Sequence, residues 1–218
     1  MRIIIKSVRV IGMTSPPALR ARGLRVSFGA HTVLHDLDVD LSWGAVTAIA
    51  GPNGAGKSTL VEVLAGVRTP QRGTVECADD VALVVQRPEV PDSLPVTVRD
   101  VVAMGTWRTR SGRRERRSRV ESALHEVDLA DLAARPFSTL SGGQRQRALL
   151  AQGIAREARV LLLDEPAAGL DAASRDRTRQ LLAAAARSGA AVACVTHDDT
   201  AIEAADVVVR LEGGRRVR

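Results

Sequence analysis

One stretch limits what this chain can fold into. Gly51, Pro52, Asn53, Gly54, Ala55, Gly56, Lys57, Ser58 and Thr59 fit the spacing G-x-x-x-x-G-K-[ST]. An apolar run over 45–50 precedes them and an apolar-periodic run over 60–65 follows, so the order is strand, glycine loop, helix. Gly51, Gly54 and Gly56 permit backbone angles that side chains forbid, so successive N–H groups can turn inward on a phosphate. The helix starting near Lys57 points the positive end of its dipole at the same place. Lys57 adds a point charge for the β- and γ-phosphates, and the Ser58 hydroxyl is placed to ligate Mg²⁺. A chance glycine turn would need neither the lysine and serine nor the strand in front.

A chain of 218 residues can bury one large core, or a core with a subdomain. With 45% apolar and 26% charged residues it reads as globular. No apolar run approaches the roughly 20 residues that span a bilayer, and the run at 3–5 is too short for a signal-peptide core. Cys77 and Cys194 lie far apart without paired spacing. They fit neither a disulfide framework nor a zinc site, and are expected to be small buried residues in a reducing cytosol.

The net charge of +6 invites a nucleic-acid or membrane-surface reading, but seven arginines fall within 108–119 alone. That stretch reads as a solvated linker and helix start, as a nucleic-acid site, or as a patch drawn to anionic headgroups. Trp107 is the one aromatic beside it, so no specific nucleic-acid partner is expected. Residues 1–12 differ from the rest, holding four of seven isoleucines and one of two lysines. They read as an edge strand or as translated upstream DNA. The second is the expectation, with the true start at Met13 and residues 1–18 an N-terminal extension.

Apolar positions alternate at Leu24, Val26 and Phe28, then at Leu37, Val39 and Leu41, predicting two antiparallel strands over 19–28 and 32–41. Phe28 is one of four aromatic residues in a chain without tyrosine, and its ring would either stack on an adenine or close a strand-end core. His31 and His35 have a metal-pair spacing only on a helix, and this region reads as strand. The runs 73–76 and 81–85 read as strands. The second ends at Gln86, where ligands bind in open α/β sheets.

A helix led by Thr97 and stopped by Gly105 is expected, then helical stretches over 120–127 and 129–134, broken by Pro136. Ser141, Gly142, Gly143 and Gln144 lead into a long helix over 146–156, a second glycine-rich helix start suited to an anion. A buried strand over 160–164 ends in Asp164 and Glu165. A carboxylate at a strand end beside a phosphate loop is where Mg²⁺ needs its acidic partner. A helix over 172–187 and a strand over 191–195 follow, with His197 just beyond and a hairpin turn at 211–215. Strands and helices alternating from residue 45 onward imply a parallel sheet covered on both faces.

In this order the motifs resemble the ATP-binding cassette family, the ATPase subunits of ABC transporters, over nearly the whole chain. Residues 51–59 resemble its Walker A loop, Gln86 its Q-loop glutamine, and Leu140 with Ser141, Gly142, Gly143 and Gln144 its signature motif. The run 160–164 resembles Walker B, with Glu165 in the position of the catalytic base; 168–171 resembles the D-loop, ending at Asp171, and His197 the switch histidine. Phe28 falls where the family places its adenine-stacking aromatic, usually a tyrosine. The resemblance implies an α/β P-loop NTPase cassette spanning 19–217. Its parts would be a RecA-like parallel-sheet core, an antiparallel β subdomain and an α-helical subdomain inserted over about 88–150.

The resemblance also implies ATP and Mg²⁺ as ligands, with Ser58, Gln86 and Asp164 at the metal. Two copies would pair head to tail as a homodimer, each ATP lying between one Walker A loop and the partner's signature motif. Glu165 would polarise the attacking water and His197 would hold the γ-phosphate. The subunit would energise a separate integral membrane permease, fed by an extracytoplasmic solute-binding protein, from the cytoplasmic face of the membrane.

Residues 86–88, 94–105 and 149–153 resemble ATPases of zinc and manganese uptake, closest to a zinc-type group from high-GC bacteria, so zinc import is the expectation. Leu94 departs from the commoner pattern, which has an aromatic before the proline. Import of another solute, or export of a haem or drug type, is the alternative. A non-transport ABC ATPase would need tandem cassettes or a long coiled coil, and no heptad array is present.

Overall fold

The computed structural model describes residues 16–84, 95–107 and 111–217. Strands β1 (Leu19–Phe28) and β2 (His31–Leu41) form the expected antiparallel pair, and β1 also pairs with β4 (Arg72–Cys77). The sheet order is β2-β1-β4. Between them in the chain come β3 (Val46–Ala50) and α1 (Lys57–Leu64), which bracket the phosphate loop.

The second sheet has the order β5-β6-β7-β3-β8-β9. Its members are β3 with β5 (Val81–Val84), β6 (Val160–Asp164), β7 (Ala191–Val195), β8 (Val207–Glu212) and β9 (Arg215–Val217). The pairings from β5 to β8 are parallel, and β9 closes the edge as an antiparallel hairpin strand. This is the RecA-like core with its antiparallel companion sheet.

Parallel strands buried on both faces read as continuous apolar runs, and β6 shows why. Val160 and Leu162 pack with β1, β2 and α1, while Leu161 and Leu163 face the opposite cluster. The opposite cluster is covered by α5 (Ala172–Arg187) and by α2 (Val98–Met104), α3 (Arg113–Glu126) and α4 (Gly142–Ala155). A short α6 (Asp199–Ala204) links β7 to β8. None of the helices among the described residues is long and apolar enough to cross a membrane.

Thr97 caps α2 in a reciprocal box: the Asp100 N–H donates to its hydroxyl at 3.2 Å, and the Thr97 N–H donates to Asp100 Oδ2 at 2.9 Å. Helix α4 begins at Gly142, four residues before the expected start, because Ser141 and Gln144 build the same kind of box. Helix α3 begins at Arg113, inside the basic run and seven residues before the expected helix at 120. Glu115 in its first turn pairs with Arg119 at 2.5 Å, favouring helix over linker. The stretch expected as helix over 129–134 holds a single 3₁₀ turn, Ala130–Leu132.

Both cysteines were expected to be buried, and only Cys194 is. Cys77 is exposed at the end of β4, an edge strand with few neighbours. Burial pushes the Cys194 thiol up to about 12, with Asp164 and Glu165 adding to the rise. A thiol reagent at neutral pH is therefore expected to label one cysteine per native chain and two in denaturant. Two rapid equivalents on the native protein would contradict the burial of Cys194.

Candidate functional site

The phosphate loop is held by its walls as much as by its own angles. Gly51 has φ +149°, and a Cβ there would collide with the Leu211 carbonyl oxygen on β8. At Gly56, φ is +93° and a Cβ would lie 2.7 Å from Leu34 Cδ2. Gly56 caps α1 in the left-handed conformation, no side chain caps the first turn, and no acidic residue lies in it. The N–H groups at this helix start keep their capacity for an outside anion. Lys57 is buried and its ammonium donates to the carbonyls of Gly51 at 2.8 Å and Pro52 at 3.0 Å, bracing the loop.

Asp164 ends β6 beside this loop, with the Ser58 hydroxyl near its half-buried carboxylate. Burial raises the Asp164 carboxyl above its ordinary range. The nearby Ser58 hydroxyl and the Lys57 charge pull it back, while Glu165 and Glu62 add to the rise. Its Oδ1 is buried and has no hydrogen-bond partner among the described residues. A buried carboxylate oxygen with open lone pairs next to a hydroxyl suits a hard divalent cation, so Ser58 and Asp164 fit Mg²⁺. Gln86, the third group expected there, lies outside the described residues.

Glu165 adopts φ +48°, a region that non-glycine residues seldom occupy. Its N–H donates to the Val195 carbonyl and its own carbonyl accepts from Ala168 N–H, both at 3.1 Å, so β7 and the following turn hold it there. Glu165 Oε1 lies 3.6 Å from His197 Nδ1, so the structure brings these two expected residues together. They line a cleft of about 250 Å³ with Ala168, Gly169, Arg175 and Thr196. Arg175 was not singled out in the sequence, although it stands one helical turn after Asp171.

The signature residues lie elsewhere in the chain. The Ser141 Oγ accepts from Gln144 N–H at 3.3 Å, which leaves its own hydroxyl proton to donate outward. A Cβ at Gly143 would lie 2.5 Å from Ser174 Oγ, and one at Gly142 would lie 3.9 Å from Leu170 Cδ2. The neighbours of these glycines are thus the start of α5 and the turn before it, not their own phosphate loop. Asp171 caps α5, accepting from Ser174 N–H at 2.8 Å; that bond and the Ser174 hydroxyl hold its carboxyl below the ordinary range.

Phe28 is not a core aromatic: it is 45% exposed at the tip of β1, with the Arg68 guanidinium 4.4 Å from its ring centroid. His31 and His35 both lie on β2, and no metal-type cluster of His, Cys, Asp or Glu occurs among the described residues.

A phosphate loop, a cation-type carboxylate and a second strand-end acid beside a histidine define a P-loop nucleotide hydrolase on a parallel sheet. The sequence profile of the ABC transporter family matches residues 34–168, and the chain belongs to that family. It is an ATP-binding ATPase coupled to transport.

The chain is 42% identical over 204 residues to the aliphatic sulfonates import ATP-binding protein SsuB 1 of Nocardia farcinica, covering 93% of this chain and 81% of that protein. It is 40% identical over 211 residues to the hemin import ATP-binding protein HmuV of Streptomyces coelicolor, covering 89% and 75%. An inward-facing ABC transporter described as of the metal-chelate type superposes with a TM-score of 0.84 at 32% identity, covering 92% of this chain and 82% of that one.

Proposed function

We propose that the chain is the ATP-hydrolysing subunit of an ABC importer, working as a head-to-tail homodimer under a membrane permease at the cytoplasmic face. The observation that carries the nucleotide half of this reading is the buried, unpartnered Asp164 Oδ1 beside Ser58 and the phosphate loop. The similar proteins from Nocardia farcinica and Streptomyces coelicolor are both import proteins, which supports import over export.

In this reading residues 51–59 wrap the phosphates, and Lys57 exchanges the carbonyls of Gly51 and Pro52 for phosphate oxygens. Ser58 and Asp164, with Gln86, would hold Mg²⁺, which when bound would supply positive charge to neutralise the phosphate oxygens. Glu165 takes the proton of the attacking water as general base, and His197 donates to the γ-phosphate. Phe28 stacks on the adenine. Ser141, Gly142, Gly143 and Gln144 face the partner copy's ATP, consistent with Leu170 and Ser174 being the nearest neighbours of the two glycines, and Asp171 positions the turn between the two sites. Helices α2, α3 and α4 form the unit that docks on the permease.

Removing the Asp164 charge tests the metal assignment. In chelator, Asp164→Asn is expected to raise the thermal midpoint by about 2 °C, because a half-buried carboxylate no longer has to stay ionised. Added Mg·ATP should then raise the midpoint of the wild type much more than that of the variant. Equal ligand-induced rises would place the metal elsewhere.

For the solute, whole-chain similarity to sulfonate and hemin import proteins supports an organic or metal-chelate cargo. Zinc is the second reading, supported by the likeness of residues 86–88, 94–105 and 149–153 to zinc-type ATPases; 85–94 lie outside the described residues. The test is reconstitution with the permease and its binding protein, the latter loaded with an aliphatic sulfonate, hemin, zinc or nothing. The loading that stimulates hydrolysis identifies the cargo. Stimulation by zinc alone would overturn the organic reading.

A further inference from the structure

The turn after α1 is tied to the tip of β1 in a way that the sheet packing does not require. Gly66, at φ +71°, lets the chain reverse, and the N–H groups of Val67 and Arg68 both donate to the Glu62 carbonyl, at 2.9 and 3.2 Å. The reversal sets Arg68 beside α1, where its Nε donates to Glu62 Oε2 at 2.8 Å. The same guanidinium covers the Phe28 ring at 4.4 Å. Three residues on, Gln71 grips the residue before Phe28: Ser27 N–H donates to Gln71 Oε1 at 2.9 Å, and Gln71 Nε2 donates to the Ser27 carbonyl at 3.2 Å. The β1–β4 ladder ends at Arg25 opposite Arg72, so a side-chain amide continues it by one step toward the ring.

We propose that Arg68, set in place by Glu62 with Gln71 fixing the strand tip, is a positioning residue for base recognition. It backs one face of Phe28 and presents the other to the adenine of ATP. The inference rests on the reading of Phe28 as the base platform. A tyrosine at this position would carry a hydroxyl to anchor its ring, and Phe28 has none. A guanidinium packed on the ring supplies the anchor. Phe28 remains 45% exposed beneath that cover, which leaves room for a second planar group. A ring already oriented spares the base the entropic cost of ordering it. Glu62 neutralises Arg68, so the pair adds little net charge toward the phosphates. Because Glu62 belongs to the helix that follows the phosphate loop, the clasp also fixes the spacing between the base and phosphate subsites.

The test is calorimetric binding of Mg·ATP and Mg·tripolyphosphate to the full chain. Arg68→Ala is expected to weaken ATP by about fourfold, from the usual size of an exposed cation–π contact, and to leave tripolyphosphate unchanged. Arg68→Lys should recover less than half of the loss, because an ammonium cannot lie flat on the ring while bonded to Glu62. Glu62→Gln, which keeps the guanidinium but loosens it, should act in the same direction. In a Phe28→Ala background, Arg68→Ala should have no further effect. Equal weakening of ATP and tripolyphosphate by Arg68→Ala would overturn the proposal. So would unchanged ATP affinity in Arg68→Ala when Phe28→Ala weakens it. If Phe28→Ala itself leaves ATP binding intact, the base-platform reading fails, and this inference with it.

Discussion

Glu165→Gln should retain ATP binding and lower the maximal hydrolysis rate by about 100- to 10,000-fold, the usual contribution of a positioned general base. The substitution keeps the shape of the side chain and the backbone bonds that hold φ at +48°, so the cleft should survive. What it removes is a group that can accept a proton. The carboxylate stands at the end of a buried strand with His197 3.6 Å away, the placement behind its proposed role as general base. The measurement is a steady-state phosphate-release assay beside equilibrium ATP binding. A variant that hydrolyses at the wild-type rate would take the catalytic role away from Glu165.

Gly51→Ala should cost the fold itself about 3 kcal/mol or more, from overpacking together with backbone strain. The added carbon would meet the Leu211 carbonyl, which belongs to the sheet and has no rotamer to yield. At φ +149° an alanine is also strained whatever the space. Gly54→Ala is the control: φ is +79°, but a Cβ there would meet nothing within 4 Å, so only the strain of about 1 kcal/mol remains. Urea unfolding of the two variants separates the terms. Equal stabilities would mean that β8 moves away at little cost.

The two sites differ from the rest of the fold in how far the sequence alone reveals them. The phosphate loop and the signature stretch are local: Gly51, Gly56, Lys57 and Ser58 act through spacing within one turn of chain, and Ser141 through a cap three residues long. Strands β6 and β7 announce themselves because both faces are buried and no polar residue interrupts them. What depends on distant partners was not readable. Nothing in residues 66–71 signals that Arg68 and Gln71 reach β1, because Ser27 lies 44 residues from Gln71. The arginine run reads as linker and helix start, but the residue where α3 begins depends on partners the sequence does not show, Glu115 and Glu157, which both pair with Arg119. Cys77 followed the general habit of cysteine until its edge strand placed it outside.

The central claim is that the signature residues serve the ATP of a second copy, since their own neighbours are Leu170 and Ser174. The most direct measurement is the light-scattering mass of Glu165→Gln with and without Mg·ATP, beside the double variant that adds Ser141→Arg. The account predicts that saturating ATP takes Glu165→Gln from one chain to two and leaves the double variant at one. A single-chain mass for Glu165→Gln at an ATP concentration that fills its sites would contradict it.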